Sequence, residues 1–369
     1  MTHLTRFAAS VVALTLMLLA STAQATVIFD WATVANPGNT ADTEVMNDST
    51  TGYGSVATTY RIAKYAVTNA QYTEFLNAKG ATNGDALALY NTSMSSDARG
   101  GITRTGSGTG GDPYVYAVKS GQGSNPVVFV SFYDTLRFAN WMHNLQGAGD
   151  TETGAYTLLG GTPTPSNGTT VTRNVGAQVF LTSENEWYKA AYHDATAGTA
   201  GTYFDYPMKT DAIPYSDNPS TLNTPDFSNT ANFLKNDSTA NGYDDGYAVS
   251  GSTSVPAGNA LTDVGAYTLS LSPYGTFDQG GNVWEWNEAN ISGNRGLRGG
   301  AWFSFWTNLA ASFRNDTGST NEISGSGFRV ASPFSETAPV PEPATVGLLG
   351  IGAVLLMLAY RRRYQKSTL

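Results

Sequence analysis

Gly281-Asn282-Val283-Trp284-Glu285-Trp286, followed by Leu297-Arg298-Gly299-Gly300-Ala301-Trp302, is the stretch whose reading decides the fold of this 369-residue chain. The first block reads as a turn that buries two tryptophans. The second places Arg298 in a buried hydrogen-bond network, with Gly299 and Gly300 permitting close backbone approach. Around these blocks, residues 255–333 are short apolar runs broken by Gly and Pro, with no convincing helix.

Upstream, three segments carry helix-start signals. Thr68 with Gln71 leads into Tyr72, Phe75 and Leu76; Ser131 with Asp134 opens a stretch holding Phe138, Trp141 and Leu145; Ser183 with Glu186 precedes Trp187, Ala190 and Ala191. Each is a capping-box pattern followed by an apolar stripe at helical spacing, so these aromatics belong to a core. The polar stretches 81–124 and 146–178 read as elaborated surface loops. The pentapeptide Gly-Ala-Tyr-Thr-Leu, at 154–158 and 265–269, fits a short strand. No repeat of solenoid length is present. The pattern is α+β with few helices and much irregular backbone.

Composition agrees. Forty Gly, 15 Pro and only 13% charged residues describe a loop-rich protein, and 41% hydrophobic residues suffice for a sizeable core. Cysteine is absent, which removes disulfides, thiol nucleophiles and thiolate–metal sites. Arg6, Arg361, Arg362, Arg363 and Lys366 lie in acid-free ends; without those five charges the chain's net −9 becomes −14 for the body between them. Such a field repels nucleic acid and favours cations.

Residues 1–25 show a three-part export pattern. Arg6 supplies the positive start, Val11 to Ala20 the apolar run, and Ala23-Gln24-Ala25 the cleavage site. The other end reads Val340-Pro341-Glu342-Pro343-Ala344, an apolar stretch to Tyr360, then three arginines. At ~1.5 Å per residue, a helix over 344–360 spans ~25 Å, barely a bilayer core, with its arginines cytoplasmic. This order resembles the PEP-CTERM sorting signal of Gram-negative bacteria, which implies processing by an exosortase and delivery to the cell surface. A permanent single-span anchor is the simpler alternative. The expected organisation is a cleavable signal peptide (1–25), a working domain (26–335) and a sorting signal (336–369).

Generic catalytic motifs are scarce. Gly106 to Gly111 matches a dinucleotide-loop pattern, but Pro113 follows and no strand or helix brackets it, so a flexible loop is expected. His3 leaves with the leader, and His143 and His193, each near a helix end, read as solvated or capping residues. No local pattern nominates a carboxylate pair for hydrolysis.

Several blocks together resemble the formylglycine-generating enzyme, or sulfatase-modifying-factor, family. They are Tyr65 to Tyr72 with Phe75-Leu76, Asn125 to Ser131 with Asp134 and Trp141, Leu181 to Trp187, 281–286, 297–302, and Arg314 with Gly327-Phe328-Arg329-Val330. The resemblance implies a C-type-lectin-like fold: few helices, small twisted sheets and long organised loops. It also implies two copper-binding cysteines shortly after Arg-Gly-Gly. Here Ser304 lies where the first would fall, and a hydroxyl is a poor ligand for soft Cu(I), so formylglycine generation is set aside. The ergothioneine-pathway branch needs a three-histidine iron set that the body, with two histidines, does not supply.

The resemblance further implies structural calcium. One set is the Asn232 side chain, Phe233 carbonyl, Asp245 carboxylate and Tyr247 carbonyl; the other is Asp278 and Glu285 with the Gly281 and Val283 carbonyls. Mixed oxygen donors of this kind suit Ca²⁺. Trp302, Ser304 and Trp306 fall in the family's active groove, where tryptophans stack on sugar or peptide faces. The expectation is therefore a non-catalytic binding or structural domain, displayed at the cell envelope and meeting surface polysaccharide or peptide. An enzyme of the same fold with other oxidation or modification chemistry is the alternative, and a matrix component a third.

Overall fold

The computed structural model describes residues 26–81 and 84–334. The expected export leader (1–25) and the expected membrane segment (344–360) lie outside them. Among the described residues no helix is long and apolar enough to cross a membrane.

One four-stranded sheet runs β1 (Trp31–Val34), β2 (Tyr60–Ala63), β14 (Val330–Pro333) and β5 (Phe180–Leu181), antiparallel throughout. A second runs β12 (Asn315–Thr317), β11 (Asn294–Arg298), β10 (Trp284–Ile291) and β13 (Ser326–Gly327), the last pair parallel. Three two-stranded pairs complete the set: β3 (Ile102–Thr105) with β4 (Val115–Val118), β6 (Tyr215–Ser216) with β7 (Thr230–Ala231), and β8 (Leu234–Asn236) with β9 (Asp245–Tyr247).

The two blocks that open the sequence reading are cross-strand partners, Glu285 opposite Arg298 and Trp286 opposite Leu297. Gly281 (φ 87°) and Asn282 (φ 63°) make the turn into β10, and Trp284 and Trp286 are buried as expected. The Trp286 indole donates to the Val130 carbonyl at 3.0 Å, so this buried ring keeps its donor met.

Five α-helices are present among the described residues: α1 (Asn69–Lys79), α2 (Gly84–Leu87), α3 (Ser93–Ser96), α4 (Phe132–His143) and α5 (Glu184–Tyr192). The capping boxes read from sequence form at α1, α4 and α5, each with reciprocal bonds such as Glu186 N to Ser183 Oγ (3.2 Å) and Ser183 N to Glu186 Oε2 (2.7 Å). Such a cap contributes about 1 kcal/mol. Behind them α1 and α4 interlock aromatics: Phe138 contacts Tyr72, Phe75, Trp141 and Phe328 at 5.3–6.0 Å between ring centroids.

Two expectations need correction. Residues 81–124 are more than loop: they contain α2, α3 and the β3–β4 hairpin, anchored by buried Leu89, Tyr90, Met94, Ile102 and Tyr116. These anchors are too sparse to give a periodic signal. The repeated pentapeptide forms no named strand; Tyr156 makes one isolated bridge to Arg173, and Tyr267 sits buried in a turn with its hydroxyl on the Asp217 carbonyl. Their apolar character anchors loops rather than extending a ladder. The Gly106–Gly111 stretch lies in the loop of the β3–β4 hairpin.

Candidate functional site

The groove region begins where β11 ends. Gly299 (φ 96°) and Gly300 (φ 77°) take a backbone region closed to most side chains, and a Cβ on Gly299 would lie 2.5 Å from the Gln279 carbonyl oxygen. The chain then closes a tight turn: Ser304 N donates to Ala301 O (2.8 Å), and Ala301 N donates to Ser304 Oγ (2.9 Å). Leu234 N of β8 donates to the Ser304 carbonyl (2.9 Å), docking the turn on that pair. Ser304 is only 6% exposed. Its hydroxyl serves the turn.

Trp302 is 5% exposed, its indole donating to the Ser324 carbonyl and its ring lying between Tyr247, Phe303 and the Arg99 guanidinium. Trp302 and Ser304 are thus interior groups, and neither lines the depressions beside Trp306. Phe305 (59%) and Trp306 (38%) face solvent. Trp306 is shared by two depressions. One, of about 300 Å³, is also lined by Lys235, Asn236, Thr253 and Phe305; the other, of about 240 Å³, by Glu44, Asp205 and Tyr206. Desolvation, then Asp42 and Asp205, push the Glu44 carboxyl up from its ordinary range; desolvation, Asp211 and Asp42 do the same to Asp205. The surface offers an aromatic face beside hydrogen-bond acceptors. Lys235, Glu44 and Asp205 carry no motif and are remote from Trp306 in sequence, so sequence reading missed them.

The calcium sets are differently placed. In the first, the Phe233 carbonyl accepts from Ser216 Oγ (2.6 Å), Tyr247 O accepts from Ser250 N and Gly251 N, and Asp245 Oδ2 accepts from Gly242 N (2.9 Å). Asn232 donates its amide to Ala260 O and Asn282 Oδ1. Lys235 pairs with Asp244 in the same segment (2.8 Å), so protein donors already meet much of this set. In the second, Glu285 holds Arg329 through both oxygens (2.6 and 2.7 Å) and also accepts from the Trp187 indole (2.7 Å). Its charge is already met. Asp278 differs: among the described residues its bonded donor is Gly265 N (2.6 Å), and desolvation pushes its pKa up to about 6 against the Gly265 bond and the pull of Arg329, with Glu285 adding repulsion. The Gly281 carbonyl of the same set accepts from Val283 N (2.8 Å). No group of three or more His, Asp or Glu side chains suited to a metal occurs among the described residues.

His193 caps α5, its backbone N–H on the Lys189 carbonyl, but it is not solvated. It is fully buried, with Nε2 donating to the Ala200 carbonyl (2.9 Å) and Nδ1 against the Tyr274 hydroxyl (2.8 Å). A carbonyl only accepts, which assigns the proton to Nε2. Burial holds its pKa below the usual value, keeping the ring neutral. His143 accepts from Gln178 N through Nδ1 (2.9 Å) near the end of α4.

Three buried ion pairs, centred on two glutamates, tie the scattered sequence blocks to one another. Glu285 of the first block binds Arg329 of the last. Glu184, from Leu181–Trp187, binds both Arg298 (2.8 Å) and Arg314 (2.5 Å). A sequence family described as the sulfatase-modifying factor enzyme 1-like domain matches residues 33–333. The chain belongs to that family. Its fold is the α+β, C-type-lectin-like form described above. The PEP-CTERM protein-sorting motif matches residues 339–363, marking a protein exported for exosortase processing at the cell envelope.

No curated protein matches. Among solved structures, Treponema denticola variable protein 1 is 18% identical with a TM-score of 0.48, covering 84% of this chain and 97% of its own. CarF is 17% identical (TM-score 0.48, 84% and 99% covered), and PvdO from Pseudomonas aeruginosa 17% identical (TM-score 0.41, 83% and 92% covered). The chain has no cysteine.

Proposed function

We propose that the exported body is a non-catalytic binding domain displayed at the cell envelope, taking surface polysaccharide on the face formed by Phe305 and Trp306. The observation that carries this reading is the pairing of a buried, hydrogen-bonded Ser304 with two exposed aromatics beside it. A hydroxyl that accepts from a backbone N–H in a closed turn is poorly placed to attack or ligate, whereas a half-exposed indole between two depressions suits stacking against a sugar ring. The flanking carboxylates would accept from sugar hydroxyls and disfavour anionic polymers. Structural calcium held by Asp278 with the Gly281 and Val283 carbonyls belongs to the same proposal, as a pin for loops in a domain without disulfides.

The test is binding of the mature chain to purified envelope polysaccharide. Trp306→Ala and Phe305→Ala are expected to abolish binding and leave the melting temperature unchanged, because neither ring is core. Retained binding in both variants would sink the site. Metal analysis addresses the enzymatic alternative: calcium alone agrees with a binding domain, and stoichiometric iron or copper overturns it.

A further inference from the structure

A third cleft, of about 400 Å³, is larger than the two that share Trp306. It lies among the 169–173 loop, the start of α5, the far half of β10 (Glu288, Ala289, Asn290) and Arg295 of β11. On it stand Thr169, Thr170 and Thr172, all exposed, the Asn185 amide and the half-buried Tyr53 ring. These are neutral hydrogen-bonding groups beside an aromatic ring. Asn185 Oδ1 accepts from Gly54 N (3.0 Å), leaving its amide hydrogens for a ligand.

The charged groups that reach the cleft are locked to one another. Arg173 bonds Glu186 and Glu288, each at 2.7 Å, and Glu184 bonds Arg298 and Arg314. Arg295 is the exception. It is 2% exposed and gives its Nη groups to the Glu288, Gly168 and Val171 carbonyls, but its Nε–H meets no acceptor among the described residues. A buried donor without a partner costs about 1–3 kcal/mol, and such groups are usually met by an ordered water or a ligand oxygen.

We propose that this cleft binds a neutral sugar unit, a site independent of the Phe305–Trp306 face. Sugar hydroxyls donate and accept together, which matches threonines, an amide, and the remaining lone pairs of paired carboxylates. The C–H face of the ring has Tyr53 to pack on, and the volume lies in the range of small-molecule sites. Glu184 and Glu288 oppose an anion, and Arg173 and Arg295 oppose a cation, so net charge in the ligand is disfavoured either way.

The detergent-solubilised full chain is titrated, by ligand-observed NMR, with a panel of neutral hexose, pentose and N-acetylhexosamine disaccharides, with glucuronate and glucosamine as charged comparators. At least one neutral disaccharide is expected to bind in the millimolar range, ahead of both comparators. Thr172→Trp fills the cleft from an exposed rim position and is expected to weaken that binding about tenfold or more, with the melting temperature unchanged. Tyr53→Ala should weaken it too, but Tyr53 also packs against Arg298 and Arg314, so Thr172→Trp is the decisive variant. Trp306→Ala should leave it intact. Absence of binding across the neutral panel, tighter binding of glucuronate, or binding that survives Thr172→Trp overturns the proposal.

Discussion

Lys189 on α5 is fully buried, and its ammonium donates to the Asn36 carbonyl at 2.7 Å. Burial alone pulls its pKa down to about 8 from an ordinary 10.5. The sign follows from proton counting. Between pH 8 and 10.5 the unfolded chain binds more protons at this site than the folded one, so stability rises with pH across that window. With 1.36 kcal/mol per pKa unit, the folded state is penalised by about 3 kcal/mol at pH 7 and by about 1 kcal/mol at pH 10. Lys189→Met removes the charge and keeps the length, but leaves the Asn36 carbonyl without its donor, at about 1 kcal/mol. The variant should therefore be about 2 kcal/mol more stable than the parent at pH 7, with the two converging near pH 10. Urea denaturation of both proteins at pH 7, 8.5 and 10 reads this difference, in which all other titrations cancel. A difference that stays flat with pH would refute the argument. A variant less stable at every pH would show that the hydrogen bond outweighs the buried charge.

Arg329→Met strands the fully buried Glu285 carboxylate with the Trp187 indole as its remaining side-chain donor among the described residues, and loss of about 3–5 kcal/mol is expected by chemical denaturation. Calcium in large excess should raise the melting temperature of the chelator-treated protein, at about 2.7 kcal/mol for a hundredfold excess over Kd, and Asp278→Asn should remove the response. Ser304→Ala deprives Ala301 N of its acceptor and should cost about 1–3 kcal/mol while leaving polysaccharide binding in place; lost binding without lost stability would return Ser304 to the site.

Local signals carried the parts of this fold that were legible from sequence. The caps at Thr68, Ser131 and Ser183 need only residues three apart, and all three form. Arg298 was legible as a buried network member because Gly299 and Gly300 follow it. Exposure in the groove was not legible. Trp302 and Trp306 look alike in sequence, and what separates them is Tyr247, Phe303 and Arg99 around one ring and solvent beside the other. Likewise the third cleft joins Tyr53, Thr172 and Arg295, whose proximity depends on the whole tertiary arrangement and leaves no local pattern.

The last strand, β14, is flanked on one side by β2 and on the other by β5, and the chain runs from it directly toward the sorting motif. A protein pulled at its C-terminus carries the load through that strand. A pull along β14 acts in shear on both neighbouring ladders, whose hydrogen bonds must fail together, rather than peeling an edge one bond at a time. The last described strand is thus built into the interior of a sheet, where force along it must break two ladders before the strand comes free.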